Sequence, residues 1–147
     1  MQKTILIVDD DTVSRGLIRM VLEYDGYRCL EAGDGADALI MVEDHSIDLM
    51  ILDYVMPRVN GIEVLTTLQK PSQPLSPPTI MITGMLQPPI REKATQLGVL
   101  DILEKPYDLG ELRALVSDIC APSHSSKDKV RSYPVPVTRR AASSPMA

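Results

Sequence analysis

The sequence predicts an α/β fold, a doubly wound parallel sheet of five strands with helices on both faces. Short, continuous apolar runs rich in Ile, Val and Leu recur along the chain, as in strands that are buried on both sides. Segments with helical periodicity separate these runs, so the order is βαβαβαβαβα. Five strands in such an alternation fit the doubly wound order 2-1-3-4-5.

The strands are predicted from apolar runs that end at a polar residue or at a turn signal. The second run is the weakest, because it contains Tyr27 and Arg28 and is followed by the turn sequence Ala-Gly-Asp-Gly. The predicted strands cover residues 4–8, 27–30, 49–52, 79–82 and 100–103.

The helices are predicted from apolar residues at helical spacing and from start and stop signals. Gly26 ends the first helix, and the loop containing Pro88-Pro89 leads into the fourth, which runs to about Leu97. Asp108 and Glu111 predict a capping box at the fifth. The apolar faces comprise Val13, Leu17, Met20, Val21 and Tyr24 in the first helix, Ala36, Ala38, Leu39 and Val42 in the second, Ile62, Leu65 and Leu68 in the third, and Leu109, Leu112, Leu115, Val116 and Ile119 in the fifth.

Composition indicates one globular domain over residues 1–120, since 147 residues suit a single core. The hydrophobic fraction is 44% without any Phe or Trp, so the core must be built from aliphatic side chains and Met. A chain with so few aromatic rings to stack on bases makes a poor binder of single-stranded nucleic acid.

Charge divides the chain into two parts. Residues 1–120 hold ten Lys/Arg and nineteen Asp/Glu, hence −9, and residues 121–147 hold five and one, hence +4. An acidic body disfavours contact with DNA phosphates, so we expect no direct DNA binding. Residues 121–147 are basic, rich in Pro and Ser and without apolar periodicity, which predicts a disordered tail.

The two cysteines, Cys29 and Cys120, have no spacing typical of a metal site or a disulfide framework. The chain begins without a signal-peptide core, and no apolar run approaches the ~18 residues of a membrane span. These features predict a cytoplasmic protein with reduced thiols and no membrane partner.

Polar residues follow four of the predicted strands at the same end. Asp9 and Asp10 follow the first strand, Asp53 the third and Thr83 the fourth, while Lys105 comes shortly after the fifth. Ligands of doubly wound sheets bind outside the carboxyl ends of the strands. We therefore expect these five side chains to converge on one edge, with Thr83 and Lys105 at the mouth of the pocket.

The predicted cluster combines three carboxylates, a hydroxyl group and an ammonium group. Neighbouring carboxylates raise each other's pKa unless a cation relieves their repulsion. Mg2+ suits such a site, because it takes oxygen ligands and combines one or two carboxylates with phosphate oxygens. Beside Mg2+, Asp53 can act as a nucleophile that forms an aspartyl phosphate. Lys105 can neutralise the phosphate and Thr83 can donate a hydrogen bond to it, with Gly84 leaving room.

Each of these residues alone also has a simpler interpretation. Asp10, Asp11 or Thr12 can cap the helix that follows. Thr83 can simply end a strand, and Lys105 can be a solvated surface residue. The joint placement of the five residues at strand ends favours the functional interpretation.

Several motifs carry a resemblance to a known family. They are Ile5-Leu-Ile-Val-Asp-Asp10, Leu52-Asp-Tyr-Val-Met-Pro57 followed by Asn60-Gly61, Ile82-Thr-Gly84, and Glu104-Lys-Pro106. Over about residues 3–120 the sequence resembles the response-regulator receiver domains of two-component signalling, chemotaxis regulators among them, which have the flavodoxin-like fold.

The resemblance implies that Asp53 accepts a phosphoryl group, and that Asp9, Asp10, Asp53 and the Val55 carbonyl oxygen bind Mg2+. The donor would be a histidine kinase or a histidine phosphotransfer protein. The chain would be a phosphoprotein of a phosphorelay and not an enzyme, since it would catalyse only its own phosphorylation and dephosphorylation. Its output would be contact with a downstream protein target, and a phosphorylation-dependent homodimer stays open.

The resemblance also implies a switch formed by Thr83, Gly84, Ile102, Lys105 and Pro106, with a cis peptide between the last two. Relatives often have an aromatic residue at the position of Ile102, whereas a branched aliphatic side chain has few rotamers. We therefore expect a smaller side-chain movement at Ile102 and a larger response in the loop over residues 84–89.

Two other functions stay open. The segment Asp9-Asp-Asp-Thr-Val13 fits the Asp-x-Asp-x-(Thr/Val) pattern of haloacid-dehalogenase-like phosphatases, although no later strand supplies the further acidic motif that those enzymes need. The chain can also be the N-terminal fragment of a larger regulator with an output domain after the tail. No helix-turn-helix or catalytic signature follows residue 120.

Overall fold

The computed structural model describes residues 2–73 and 75–121. The predicted tail lies outside the described residues from residue 122 onward. Among the described residues, no helix has the length and apolar character that crossing a bilayer requires. The strands are β1 Thr4–Val8, β2 Arg28–Ala32, β3 Leu49–Asp53, β4 Thr79–Thr83 and β5 Asp101–Glu104. The helices are α1 Thr12–Tyr24, α2 Gly35–Asp44, α3 Gly61–Leu68, α4 Pro88–Gln96 and α5 Leu109–Cys120.

The strands form one parallel sheet in the order β2-β1-β3-β4-β5, which confirms the predicted flavodoxin-like α/β fold. The register pairs Val8 with Leu52, Asp53 with Ile82, and Thr83 with Glu104 at successive strand pairs. The carboxyl ends of β1, β3, β4 and β5 therefore reach the same edge of the sheet.

Two apolar layers cover the sheet because alternate residues of a strand point to opposite faces. On one face Ile18 of α1 and Leu112 of α5 join the buried layer. On the other, Val42 of α2, Leu65 of α3 and Ala94 of α4 belong to the second layer. The buried members of both layers are aliphatic residues, Met and Cys, as the composition predicts.

The second strand lies further along the chain than predicted. It covers Arg28–Ala32, whereas the apolar run predicts residues 27–30. The ladder to β1 explains the difference, because Thr4 pairs with Arg28 and Val8 pairs with Ala32. Pairing partners set these ends, and they are not visible in the local apolar pattern.

The predicted apolar face of α1 is wrong. The buried residues of this helix are Ile18 and Leu22. The helix is turned so that these two face the sheet while Arg15 and Arg19 reach Glu31 on β2. Most of the periodic set is exposed instead: Val13 at 79%, Leu17 at 43%, Met20 at 61% and Tyr24 at 86%.

The predicted loop at Pro88-Pro89 is also wrong, because both prolines lie within the first turn of α4. Proline is tolerated there, since the first N–H groups of a helix have no partner within it. Gln87 precedes the helix without a capping bond from its side chain, and Ala94 is the buried residue of α4. Among the described helices, α4 therefore has the fewest buried residues.

Short polar side chains cap the starts of four helices, α1, α2, α3 and α5. Asp11 caps α1, which settles the choice between capping residues there. Asp108 caps α5 through the Gly110 N–H at 2.9 Å, and not through the Glu111 N–H that the predicted capping box requires. A complete capping box lies at α3, between Asn60 and its N3 residue.

Adjacent residues of α1 test its rotation. Ile18→Ala should lower the free energy of unfolding by about 3 kcal/mol, because the side chain is fully buried. Leu17→Ala, the matched control, should cost less than about 1 kcal/mol. Urea unfolding of both variants measures the difference, and equal losses would contradict the observed orientation of α1.

Candidate functional site

Three carboxylates meet at the carboxyl edge of the sheet. Oxygen atoms of Asp9, Asp10 and Asp53 all lie within 4.8 Å of one another. Asp9 and Asp53 are only 2% and 4% exposed, whereas Asp10 is exposed. The structure thus brings together the acidic residues that the strand ends predict.

Asp9 is held by bonds to both its backbone and its side chain. Its N–H donates to the Ala32 carbonyl oxygen at 3.1 Å, which extends the β1–β2 ladder by one residue. Its Oδ1 accepts from the Asp11 N–H at 2.9 Å. Its carbonyl oxygen accepts from Arg15 Nη1 at 2.6 Å. The loop from β1 to α1 is therefore fixed where it carries the acidic pair.

Lys105 forms an ion pair with one of the clustered carboxylates. Its Nζ lies 3.2 Å from Asp53 Oδ2, and its side chain is 36% exposed. The Lys105 N–H donates to the Thr83 carbonyl oxygen at 2.8 Å, which places the residue after β5 beside the end of β4. The peptide between Lys105 and Pro106 is cis, as the resemblance implied.

The loop after β3 is fixed by close backbone contacts. The Val55 N–H donates to Asp53 Oδ1 at 3.3 Å, and the Tyr54 N–H donates to the Ile82 carbonyl oxygen at 2.8 Å. The Gly61 N–H donates to the Tyr54 carbonyl oxygen at 2.8 Å. A Cβ at Gly61 would lie 2.8 Å from the Asp53 carbonyl oxygen, too close for any other residue. Glycine therefore lets α3 begin directly against Asp53.

Burial raises the pKa of the Asp53 carboxyl group to about 6. Lys105 opposes this effect through its charge and its hydrogen bond, and the negative charge of Asp9 adds to it. The net rise means that removal from water outweighs the attraction of Lys105. Asp53 is therefore a carboxylate that a further cation would stabilise.

Thr83 is fully buried, so the expectation that its side chain lies at the mouth of the pocket is wrong. Its Oγ1 accepts from the Met85 N–H at 2.9 Å, which ties it to the loop after β4. A Cβ at Gly84 would meet only Lys105 Cβ at an ordinary 3.9 Å, so packing does not require glycine there. Ile102 is fully buried in the layer beneath α4.

The sequence profile of the response regulator receiver domain matches residues 5–117. The chain belongs to this family. The receiver is 38% identical over 125 residues to the transcriptional regulatory protein CpxR of Escherichia coli strain K12, covering 85% of this chain and 52% of CpxR. It is 38% identical over 117 residues to the cyclic di-GMP phosphodiesterase response regulator RpfG of Xanthomonas campestris, covering 78% of this chain and 31% of RpfG. The chain thus spans about half the length of CpxR and less of RpfG.

Solved receivers have the same fold. A response regulator receiver protein from Pseudomonas putida superposes with a TM-score of 0.75 at 28% identity, covering 80% of this chain and 97% of that protein. The chemotaxis protein CheY4 of Vibrio cholerae gives 0.74 at 26% identity, covering 81% of this chain and 99% of CheY4. The receiver is therefore CheY-like.

The acidic cluster of the receiver fits a hard divalent cation. Its three candidate ligand residues, Asp9, Asp10 and Asp53, offer only oxygen atoms, which Mg2+ prefers. In an octahedral site with ligands at about 2.1 Å, ligand oxygens stand roughly 3 to 4 Å apart, so oxygens within 4.8 Å need only small shifts. Lys105 offsets only one of the three negative charges, which leaves the pocket attractive to a cation.

Sequence reasoning missed three residues close to the site: Arg15, Glu31 and Tyr107. Arg15 bonds the Asp9 carbonyl oxygen and, through Nε at 2.7 Å, the Glu31 carboxylate. Burial and the nearby charge of Asp9 raise the pKa of the Tyr107 hydroxyl group, and the Ser14 side chain partly offsets this rise. These contacts depend on how α1 is rotated, so no spacing in the sequence marks them.

The raised pKa of Asp53 predicts a pH-dependent stability in the absence of divalent cations. The pKa of Asp53 is higher in the folded state than in the unfolded state. Its contribution to the free energy of unfolding is therefore fully present below about pH 4 and is lost as pH rises through about 6. The Asp53→Asn variant has no charge to bury. As pH rises from about 4 to about 7, its free energy of unfolding should therefore increase by roughly 2 to 3 kcal/mol relative to that of the wild type. Urea unfolding at about pH 4 and about pH 7 measures the gain. A difference that does not grow with pH would contradict the assigned burial of the charge.

Proposed function

We propose that this receiver accepts a phosphoryl group on Asp53 from a histidine kinase or a histidine phosphotransfer protein. Asp9, Asp10, Asp53 and the Val55 carbonyl oxygen are the proposed Mg2+ ligands. The observation that carries this proposal is the buried Asp53 carboxylate at the end of the central strand, with two further carboxylates within 4.8 Å and Lys105 Nζ at 3.2 Å. No other arrangement among the described residues places a carboxylate between a cation-attracting pair and an ammonium group.

Each residue has a defined part in the transfer. An Asp53 oxygen forms the new bond to phosphorus while the bond from phosphorus to the donor imidazole nitrogen breaks, and that nitrogen takes up a proton. Bound Mg2+ would shield the negative charge of the phosphoryl oxygens. Lys105 balances a further charge. The Thr83 hydroxyl can turn from the Met85 N–H to donate to a phosphoryl oxygen, which links modification to the loop after β4.

The surroundings of the pocket suit a docking donor. Val13, Val55 and Met85 follow three different strand ends and are 79%, 48% and 51% exposed. Large apolar side chains exposed beside polar groups mark sites of protein contact. The exposed face of α1 continues this surface through Leu17 and Met20, which supports docking of a partner helix across α1.

The phosphatase alternative loses support from the position of Asp11. The Asp-x-Asp-x-(Thr/Val) pattern has two acidic positions, which this chain fills with Asp9 and Asp11. Asp11 caps α1, accepting from the Val13 and Ser14 N–H groups, and is not one of the three clustered carboxylates. The cluster is completed by Asp53, which the phosphatase pattern does not use.

The receiver covers 52% of CpxR and 31% of RpfG. The response of the whole protein to phosphorylation is therefore a separate proposal. We infer that phosphorylation changes a protein-interaction surface, either for a downstream target or for a second copy of the chain. The acidic body of residues 1–120 makes this part of the chain a poor ligand for DNA. The disordered tail over residues 121–147 stays a prediction.

Phosphoryl uptake should require both Asp53 and a divalent cation. Asp53→Asn keeps the shape of the side chain but removes the nucleophile, so incorporation from acetyl phosphate should fall to background, as should that of the wild type in EDTA. Asp11→Asn is the matched control and should retain wild-type uptake. Mass mapping of the modified peptide checks the site, and uptake by Asp53→Asn at the wild-type rate would overturn the assignment.

The switch should be carried by the loop after β4. Ile102 is fully buried against the layer under α4, where a side-chain swing has little room. Backbone NMR of the free form and the beryllofluoride-bound form should therefore show the largest changes over residues 84–89. Changes centred on Ile102, with residues 84–89 unmoved, would contradict this expectation.

A further inference from the structure

Arg15 makes a two-pronged contact between the acidic loop and the neighbouring strand. Nη1 donates to the Asp9 carbonyl oxygen at 2.6 Å, and Nε donates to Glu31 Oε1 at 2.7 Å. The Arg15 side chain is only 16% exposed and that of Glu31 27% exposed. The planar guanidinium group is suited to holding two acceptors in a fixed relation, which a flexible ammonium group is not.

Glu31 is held in turn by a second arginine. Arg19 Nη1 lies 2.6 Å from Glu31 Oε2, and Arg19 Nε lies 2.9 Å from Glu23 Oε2. The two arginines keep the pKa of the Glu31 carboxyl group below its usual value, first through Arg19 and then through Arg15. Glu31 stands next to the end of β2, opposite Ile7 of β1. The network therefore anchors Arg15 to the sheet.

The hydrogen bond from Arg15 to Asp9 acts on the peptide group that joins Asp9 to Asp10. The Asp9 carbonyl belongs to the peptide unit that continues into Asp10, so a bond to this oxygen restrains the orientation of that unit. The Asp9 N–H and side chain are already fixed by Ala32 and Asp11. Arg15 supplies the remaining restraint, and with it the direction in which Asp10 leaves the strand.

We propose that Arg15 is a positioning residue for the acidic pair, and that it raises the affinity of the site for divalent cations although it carries a positive charge. The proposal rests on the proposed function, because it takes Asp9 and Asp10 as cation ligands. Residues that orient metal ligands typically change metal affinity by about 10- to 100-fold when they are replaced.

The sign of the effect separates positioning from charge. A guanidinium group near a cation site repels the cation, so if charge alone mattered, Arg15→Met would bind Mg2+ more tightly. If Arg15 positions the carboxylates, the same variant binds Mg2+ more weakly, on the order of tenfold. A purely structural role lowers thermal stability and leaves the Mg2+ affinity of the folded protein unchanged.

The experiment is a titration of the full chain with Mg2+ alone. Binding is monitored through the NMR chemical shifts of the amide groups of residues 10, 11 and 55. Arg19→Met is the matched control, since it removes the same charge and the other half of the Glu31 pairing but leaves the Asp9 contact in place. We expect its Mg2+ dissociation constant to stay within about twofold of the wild type, against about tenfold weakening for Arg15→Met. Equal or tighter binding by Arg15→Met would overturn the proposal.

Two further variants keep the outcome decisive. Arg15→Lys retains the charge and serves as the test variant if Arg15→Met does not fold. It should still bind Mg2+ more weakly than the wild type, because one ammonium group cannot hold both acceptors of the guanidinium group in a fixed relation. Wild-type affinity in Arg15→Lys would overturn the proposal. Asp10→Ala tests the site itself: if it binds Mg2+ like the wild type, the proposed function fails, whereas loss in Asp10→Ala with no change in Arg15→Met refutes the role of Arg15 alone.

Discussion

Negative charge concentrated at one edge of the sheet is the constraint on which the rest of this structure depends. Asp9 and Asp53 are almost fully withdrawn from water, and Asp10 adds a third carboxylate within 4.8 Å. Such groups repel one another, and burial penalises each charge further. The receiver tolerates them because Lys105 pairs with Asp53 and because Asp9 makes three hydrogen bonds, to Ala32, Asp11 and Arg15. The remaining imbalance makes the pocket receptive to a cation.

The same edge shows why the site could be predicted from the sequence. Parallel strands end together, so polar residues that follow buried runs must meet whatever the details of packing. Asp9, Asp53 and Lys105 follow this rule. Their local environments could not be inferred, because the burial of Thr83 and the close approach of Gly61 to the Asp53 carbonyl depend on loops whose course the apolar pattern does not record.

Helix rotation was less predictable than strand placement. In α1 most of the apolar residues with the most regular spacing, such as Val13 and Tyr24, face solvent. The buried residues that pack on the sheet are Ile18 and Leu22. A periodic pattern reveals that a helix has an apolar face but not whether that face packs inside the domain or against a partner. The position of Arg15 follows from the same rotation, and for that reason a charged helix residue with a specific contact looked like an ordinary surface residue.

The sparse burial of α4 means that stability is unevenly distributed in this receiver. One alanine methyl group contributes far less than the two to four buried side chains of the other described helices. Elements with few buried contacts open locally at small free-energy cost, and their amides exchange with solvent without global unfolding. Under the proposed function, phosphorylation of Asp53 would need little energy to alter the population of displaced α4 conformations, while the strands that hold the carboxylates stay in place.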